Sequence, residues 1–423
     1  MMMQIMARVT GGCQALPAAC TSRITITIVH TKLALWEVRR FVNDSEREAM
    51  RMVVRDFAER EVAPRVREYD HEERLPRDIL DGMARLDLFG GLVPQTWGGA
   101  GMDHVTFAML IEEISRVDHC LGVLMSMPSA LVGAGILKFG TEQQRKQWLA
   151  PLARGDIFGG AGVTEPQSGS DVAGMETTYT REGDEFVIRG AKTWISNLDI
   201  ASFFVTFATR DRAERHAGVT AFIIPRDTPG LSVHPFKNKL GFRPISTGEL
   251  VLDDVRVGAE ALLGEEGGGF QVAMTAVEKG RLAVAARAVG GAQLCLDNSL
   301  RYAEERVVFG NKIGDYQLIQ KKLADMATEI QAARLLVQHC ARTLDTGARG
   351  RVETSMAKMY ASDVFQRAAT EAVQIHGAYG VSDEFPLARA YRDAKVFQIV
   401  EGTNEIHRVV ISRELVRRAG GAS

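Results

Sequence analysis

Cysteine, net charge and long apolar runs are all scarce in this sequence, and each shortage removes a class of function. The five cysteines (Cys13, Cys20, Cys120, Cys295 and Cys340) are scattered, odd in number and without CxxC or metal-ligand spacing. They read as reduced packing residues, not as a disulfide framework or a metal site. A total of 51 Lys and Arg against 53 Asp and Glu leaves a net charge of -2, which gives no basic field for nucleic acid. No apolar stretch approaches the roughly 18 residues of a membrane span, and neither an internal repeat nor a low-complexity segment is present. Acidic residues are missing from the first 36 positions, which carry Arg8, Arg23 and Lys32 among several Ser and Thr. That composition is compatible with a transit peptide; an unstructured extension or an upstream start codon accounts for it equally. Residues 1–42 are therefore set apart from the fold.

What remains is long and apolar enough for about three domains, 46% of the chain being hydrophobic. Ser45 and Glu48 have capping-box spacing ahead of Met52, Val53 and Phe57, which predicts the first helix start. Helical periodicity continues to about residue 155, broken at Pro64, Pro76 and the loop 94–101. From 156 to 266 the pattern shortens to strands around 186–188, 203–207, 219–224 and 250–252, a small β domain. After Gly267-Gly268-Gly269 the helical period returns over about 270–303, 315–346, 353–378 and 404–418. Four long helices in succession predict a bundle over 267–423, behind a helical domain over 43–155.

Chemistry concentrates in three places. Near the C-terminus, Phe397, Ile399 and Val400 deliver Glu401 onto a Gly402-Thr403 turn before a fresh helix. Desolvation raises the pKa of such a carboxylate, the following helix's amides favour its anion, and the balance suits a base near neutral pH. A helix-capping acid explains the same stretch, so context decides. Residues 161–174, AGVTEPQSGSDVAG, place small residues where backbone amides approach a ligand, with Thr164, Ser168 and Ser170 as hydroxyl donors. A polar Gly/Ser loop has the same composition. Lys192 to Asn197 then end the first strand pair with Trp194, either a core indole or a platform for a flat ring.

Taken together, these stretches resemble the acyl-CoA dehydrogenase family from about residue 43 to 418. The loop 162–174 looks like the family's first signature. Gln374-Ile375-His376-Gly377-Ala378-Tyr379-Gly380-Val381 through Asp393 looks like its second, with Ala378 where Gly or Ser is usual. Val400 to Thr403 resembles the base element, Val400 replacing a common aromatic. The resemblance implies a mostly α fold with a central β-barrel, an N-terminal helical domain and a C-terminal four-helix bundle, FAD lying at the junction. By the same resemblance Ala161, Gly162, Val163, Thr164, Gly169 and Ser170 would line the flavin, Ser170 also meeting substrate. Trp194, Ile195 and Ser196 would cover the flavin edge. Arg306, Phe309, Gln317 and Gln374, Ile375, His376, Gly377 and Ala378 would reach the FAD of a neighbouring subunit in a homotetramer, and Thr403, Asn404 and Glu405 would complete the site. Glu278, Arg281 and Gly402 correspond to positions beside the acyl-CoA.

The reaction so implied is α,β-dehydrogenation of an acyl-CoA to the trans-2-enoyl-CoA. Glu401 would be the base, flavin N5 the hydride acceptor and an electron-transferring flavoprotein the next carrier. In some branches the base sits on a bundle helix just before an arginine; here that position is Gly280, ahead of Arg281, which leaves Glu401 as sole base. The glutaryl-CoA branch has an arginine where this chain has Gly122, four residues after Asp118, so acyl chains without a terminal charge are expected. Alternatives are an acyl-CoA oxidase, a dehydrogenase of carrier-protein thioesters, and a non-catalytic interaction protein of the same fold. Flavin monooxygenases of this fold lack the glutamate. The expected compartment is the cytoplasm, or the mitochondrial matrix in a eukaryote.

Overall fold

The computed structural model describes residues 43–420, so the extension expected over 1–42 and the cysteines Cys13 and Cys20 lie outside the described residues. The first helix, α1 (Asp44–Phe57), is capped by Asn43, whose side chain accepts from the Glu46 amide while Glu46 reaches back to the Asn43 amide. The capping box therefore lies two residues before the Ser45 and Glu48 pair expected from spacing. Ser45 is already helical, and Glu48 is engaged by Arg51 on the next turn. Three further helices of the lead segment matter here: α2 (Arg77–Arg85), α3 (His104–Ser115) and α4 (His119–Ser126).

The strands β1 (Phe158–Gly162), β2 (Thr178–Glu182), β3 (Glu185–Ser196), β4 (Ala201–Thr209), β5 (Val219–Pro225), β6 (Leu231–Pro235) and β7 (Thr247–Gly258) form one seven-stranded sheet. Its order is β1-β4-β2-β3-β7-β6, with β5 on β4, and it curls into a half-barrel that leaves β1 and β6 as edges. Ala161 and Gly162, expected in a loop, end strand β1, where Gly162 pairs with Thr206. Beyond the sheet run α5 (Gly269–Glu305), α6 (Gln317–Asp345), α7 (Arg351–His376), α8 (Leu387–Phe397) and α9 (Asn404–Ala419). The four long helices match the expected periods. α8, short and Pro-led, adds a fifth that periodicity did not reveal.

Packing explains the order. α5 and α6 pack on α7, and α3 and α4 lie against α5, so one apolar core runs from Val54 in α1 to Phe397 in α8. Cys120, Cys295 and Cys340 are free thiols buried within it, as expected of packing cysteines. A second core, including Phe203, Phe207 and Val272, joins the sheet to the start of α5. No described helix is long and apolar enough to cross a membrane.

Two buried charge clusters fix the segments that carry the chemistry. On α8, Arg389 Nη1 donates to Asp118 Oδ1 (2.9 Å), and Asp393 takes the His119 Nε2 (2.6 Å) and the Phe242 amide (2.6 Å). α8 is thereby clamped to α4. In the sheet, Lys192 of β3 pairs with Glu165 of the signature loop at 2.6 Å, both side chains fully buried. Burial pulls the Lys192 ammonium down to about 8, while Lys192 and the Thr177 and Glu176 amides hold Glu165 below the usual carboxylate range. Removing one member of such a pair strands the other charge, at a cost of about 3–5 kcal/mol. Lys192→Met is expected to lower the melting temperature by several degrees; a melting curve superimposable on the parent's would mean that the pair does not hold the loop.

Candidate active site

The turn that carries Glu401 is built between α8 and α9. Asn404 N bonds back to Gln398 O (3.1 Å), and Thr403 caps α9 by accepting from the Ile406 amide (3.3 Å). Phe397 is fully buried, but Ile399 is 54% exposed, so the approach to Glu401 is only partly apolar. Glu401 has φ +56 and Gly402 φ +99, a reversal that turns the carboxylate back onto α5. There it lies against Gly280: a Cβ at that glycine would stand 2.6 Å from Glu401 Oε2 and 2.8 Å from Oε1. A side chain at 280 would have to displace the flexible Glu401 carboxylate from this position.

Glu401 Oε2 is buried without a hydrogen-bond partner among the described residues. Burial pushes its carboxyl up to about 7, and the charges of Arg287, Arg281 and Lys358 pull against that rise. These three cations, two on α5 and one on α7, supply the balance that the sequence reading gave to the amides of the following helix. Arg281 Nε also donates to the Glu401 carbonyl (3.4 Å). Lys358, fully buried on α7, donates to Gly402 O (2.8 Å) and Asn404 Oδ1 (3.0 Å), which ties the turn to the bundle. Desolvation pulls Lys358 down to about 7. Glu278, expected beside substrate, sits two residues before Gly280 with its Oε1 buried and unpartnered, and burial raises its carboxyl.

The sheet edge offers a second surface. β1 pairs only with β4, so the outer backbone edge at Ala161 and Gly162 has no strand partner. Thr193 N donates to Thr164 O (2.9 Å), bringing the end of β3 beside Val163 and Thr164. A register shift between Lys192 and Ile195 puts Trp194 at φ +61 and leaves it 62% exposed, with Phe236 edge-on at 5.1 Å. The core reading of this indole is thereby excluded. A bulky residue persists at such a φ only when its surroundings fix it, and here an indole is offered beside free backbone donors and acceptors. These features fit a flat, polar-edged ring such as isoalloxazine. Ile195 itself is buried, Ser196 is half-buried, and Gly169 and Ser170 are exposed on the signature loop.

Other predicted positions divide. Arg306, Phe309 and Gln317 are exposed on and beside the hairpin 307–312, Phe309 by 96% and with φ +51. Gln374, Gly377 and Ala378 are exposed at the end of α7, whereas Ile375 and His376 turn inward, His376 stacking on Tyr302 at 4.2 Å. Asn404 is buried and its amide bonds Asp363 Oδ1 (2.7 Å) and Ser362 Oγ (2.9 Å). Its side chain is therefore a tie within the bundle. Thr403 is half-buried and Glu405 exposed. Sequence reading missed Glu165, Lys192, Lys358 and Arg287. Lys358 and Arg287 each interrupt an otherwise apolar helical stripe, which is the signal that would have found them.

A desolvated carboxylate on the bundle and an exposed indole at a sheet edge are features that a flavin-dependent dehydrogenase requires. The comparisons give that class its family. Models described as acyl-CoA dehydrogenase N-terminal, middle and C-terminal domains match residues 43–156, 160–255 and 267–416. The mitochondrial short-chain specific acyl-CoA dehydrogenase of Mus musculus is 41% identical over 368 residues, covering 87% of this chain and 89% of that protein. The butyryl-CoA dehydrogenase structure from Megasphaera elsdenii superimposes with a TM-score of 0.86 at 38% identity, covering 89% of this chain and 99% of that one. A structure described as "Electron transferring flavoprotein of Acidaminococcus fermentans" gives 0.86 and 38%, covering 89% and 100%. The chain belongs to the acyl-CoA dehydrogenase family, whose activity is FAD-dependent acyl-CoA dehydrogenation.

The Glu401 environment dictates a pH response. A carboxylate so placed can accept a proton only when ionised, so an activity that depends on it should rise with pH and level off above about 7. Because the folded pKa lies above the ordinary value of 4.5, the protonated form stabilises the fold, and that contribution is lost as pH rises through about 7. The melting temperature of the parent should therefore fall relative to that of Glu401→Gln between pH 5 and pH 8, roughly the span of the two pKa values. A pH-independent difference would show that Glu401 titrates normally.

Proposed function

We propose that Glu401 is the catalytic base that removes the α proton of an acyl-CoA thioester. The observation that carries this reading is a carboxylate shifted to about 7 whose Oε2 is free, held against Gly280 by the turn 401–403. An α proton of a thioester is weakly acidic, so the base must be basic near neutral pH and the developing enolate must be stabilised. Among the described residues the Glu401 amide N–H has no acceptor, which leaves it available to polarise the thioester oxygen. As Glu401 takes up the proton its negative charge is lost, and Arg281, Arg287 and Lys358 then face the negative charge that develops on the substrate. When bound, the flavin supplies the acceptor for the β hydrogen as hydride. In this proposal residues 161–170 and Trp194 to Ser196 hold its ring, and Thr403 flanks it. Arg281, Glu278 and Gly402 border the thioester. The division into helical, sheet and bundle domains near 156 and 267 belongs to the same reading.

Glu401→Gln preserves shape while removing basicity. It is expected to leave a yellow, FAD-bound protein whose dye-coupled turnover falls by about 10² to 10⁴-fold or more. Turnover within a few-fold of the parent would exclude Glu401 as base.

The proposal extends to assembly and partners. Val307 (54%), Phe309 (96%) and Leu318 (77%) expose apolar surface next to Arg306 and Gln317. Clustered exposure of this kind marks an interface. A neighbouring subunit whose FAD reaches this segment accounts for it, within a homotetramer built from dimers. Electron transfer to an electron-transferring flavoprotein is supported by the structural neighbour so described. Bacterial and mitochondrial relatives support a cytoplasmic or matrix location. Arg306→Ala should lose FAD and tetramer together, since each stabilises the other by mass action. Sedimentation of a fully flavinated monomer would refute this coupling.

A further inference from the structure

Glu401 Oε2 has no hydrogen bond among the described residues, so the aim of the carboxylate is set by the backbone of its turn. That backbone is strained, with Glu401 at φ +56, a conformation that a residue with a side chain keeps only when its surroundings impose it. The restraint comes from Asp363 on α7. Its Oδ1 accepts from Gln398 Nε2 and from Asn404 Nδ2, both at 2.7 Å. Gln398 lies three residues before Glu401 and Asn404 three after it, so one oxygen joins the two feet of the turn. Asn404 N closes the same ring on Gln398 O at 3.1 Å. An ion pair with Arg408 would by itself make Asp363 an ordinary surface acid, but that contact is longer, 3.3 Å to Oδ2, and reaches an exposed guanidinium. The short bonds go to the turn.

Resting on the reading of Glu401 as the base, we infer that Asp363 is a positioning residue for the reaction, one that sets the rate of proton removal by holding the turn 398–404. An ionised acceptor makes shorter and stronger hydrogen bonds than a neutral one, and an acceptor shared by both feet of a turn limits hinge motion at each. Lys358, five residues earlier on α7, holds the apex through Gly402 O, and Ser362 Oγ meets Asn404 Oδ1 at 3.1 Å. α7 thus carries the feet and the apex of the turn on neighbouring side chains, which indexes the base to this one helix. Without Asp363 the turn can relax from its positive φ. A carboxylate displaced by ~1 Å loses up to about 10²-fold in rate while the thioester still binds.

The test compares flavinated Asp363→Ala, Asp363→Asn, Gln398→Ala and the double variant Asp363→Ala with Gln398→Ala against the parent and Glu401→Gln. Butyryl-, hexanoyl- and octanoyl-CoA are screened, and the one that the parent oxidises fastest is mixed with each protein by stopped flow. The rate of flavin bleaching reports proton and hydride removal, and its amplitude reports the flavinated fraction. Titrating the corresponding trans-2-enoyl-CoA against the flavin absorbance gives affinity without turnover. Asp363→Ala should slow bleaching by about 10 to 100-fold at full amplitude, with a Kd for the enoyl-CoA within about threefold of the parent's. Asp363→Asn, which keeps an acceptor of the same shape, should fall between. Gln398→Ala, a milder change that frees one foot, should slow bleaching by about threefold or more, and the double variant should be slower than Asp363→Ala by no more than about twofold, because both act through one contact. In the same holoproteins, hydrogen exchange at the Asn404 amide should quicken by about tenfold. Bleaching within about threefold of the parent in Asp363→Ala, or at the parent's rate in Gln398→Ala should Asp363→Ala not hold flavin, would overturn the inference. So would a loss of amplitude and affinity in step with the rate, which marks a merely structural residue. If Glu401→Gln bleaches at the parent's rate, or the parent oxidises none of the three thioesters, the reading of Glu401 as base fails first and the inference falls with it.

Discussion

The carboxylate of Glu401 is pressed against bare helix backbone, and much of the site follows from that contact. Ionising it there is possible only with cations nearby, and Arg281, Arg287 and Lys358 supply them from two bundle helices. Too many hydrogen bonds to the carboxylate would lower its pKa and fix its orientation, and its Oε2 has none. The surrounding charges thus act at a distance while this oxygen stays unencumbered and able to accept a proton. Such an arrangement is sensitive to small displacements, since a base misplaced by about 1 Å loses much of its effect.

Rigidity around that contact comes from polar groups buried on either side of the turn. α8 enters it clamped to α4 through Asp118, Arg389, His119 and Asp393, and α9 leaves it tied to α7 through Lys358, Ser362 and Asn404. Both signature stretches gain a physical reason here. Asp393, at the end of the second, is an anchor and not a ligand. Glu165, inside the first, holds its loop to Lys192 of β3 and to the amides of 176 and 177. Side chains most distinctive in sequence therefore stand partly behind the site, where they set backbone positions.

Much of this was legible beforehand, for identifiable reasons. The long bundle helices have strong 3.6-residue periods, and the sheet has apolar runs between turn residues. Glu401 stood out because a lone acid follows an apolar approach. α8 did not, because its Pro-led start and short span carry little periodic signal. The expected capping box was displaced because Asn43 and Glu46 form one two residues earlier and Glu48 has Arg51 as an alternative partner. Asn404 was read for a ligand role alone, and its bonds to Asp363 and Ser362 were not foreseen. Spacing reveals which residues share a face, and not which of them a distant helix has already engaged. Lys358 and Arg287 were hidden for a related reason: a single charge in an apolar stripe is informative only once its surroundings are known.

The absent side chain at position 280 also bears on the turn that carries the acid. A Cβ there would lie within 2.8 Å of both Glu401 oxygens, so any side chain at 280 must push that carboxylate away from where it now rests. A substitution at 280 therefore reaches Glu401 without touching position 401 itself. The emptiness of one helix position thus sets where an acid on a distant turn can rest, and the two residues act as a single unit although 120 positions separate them.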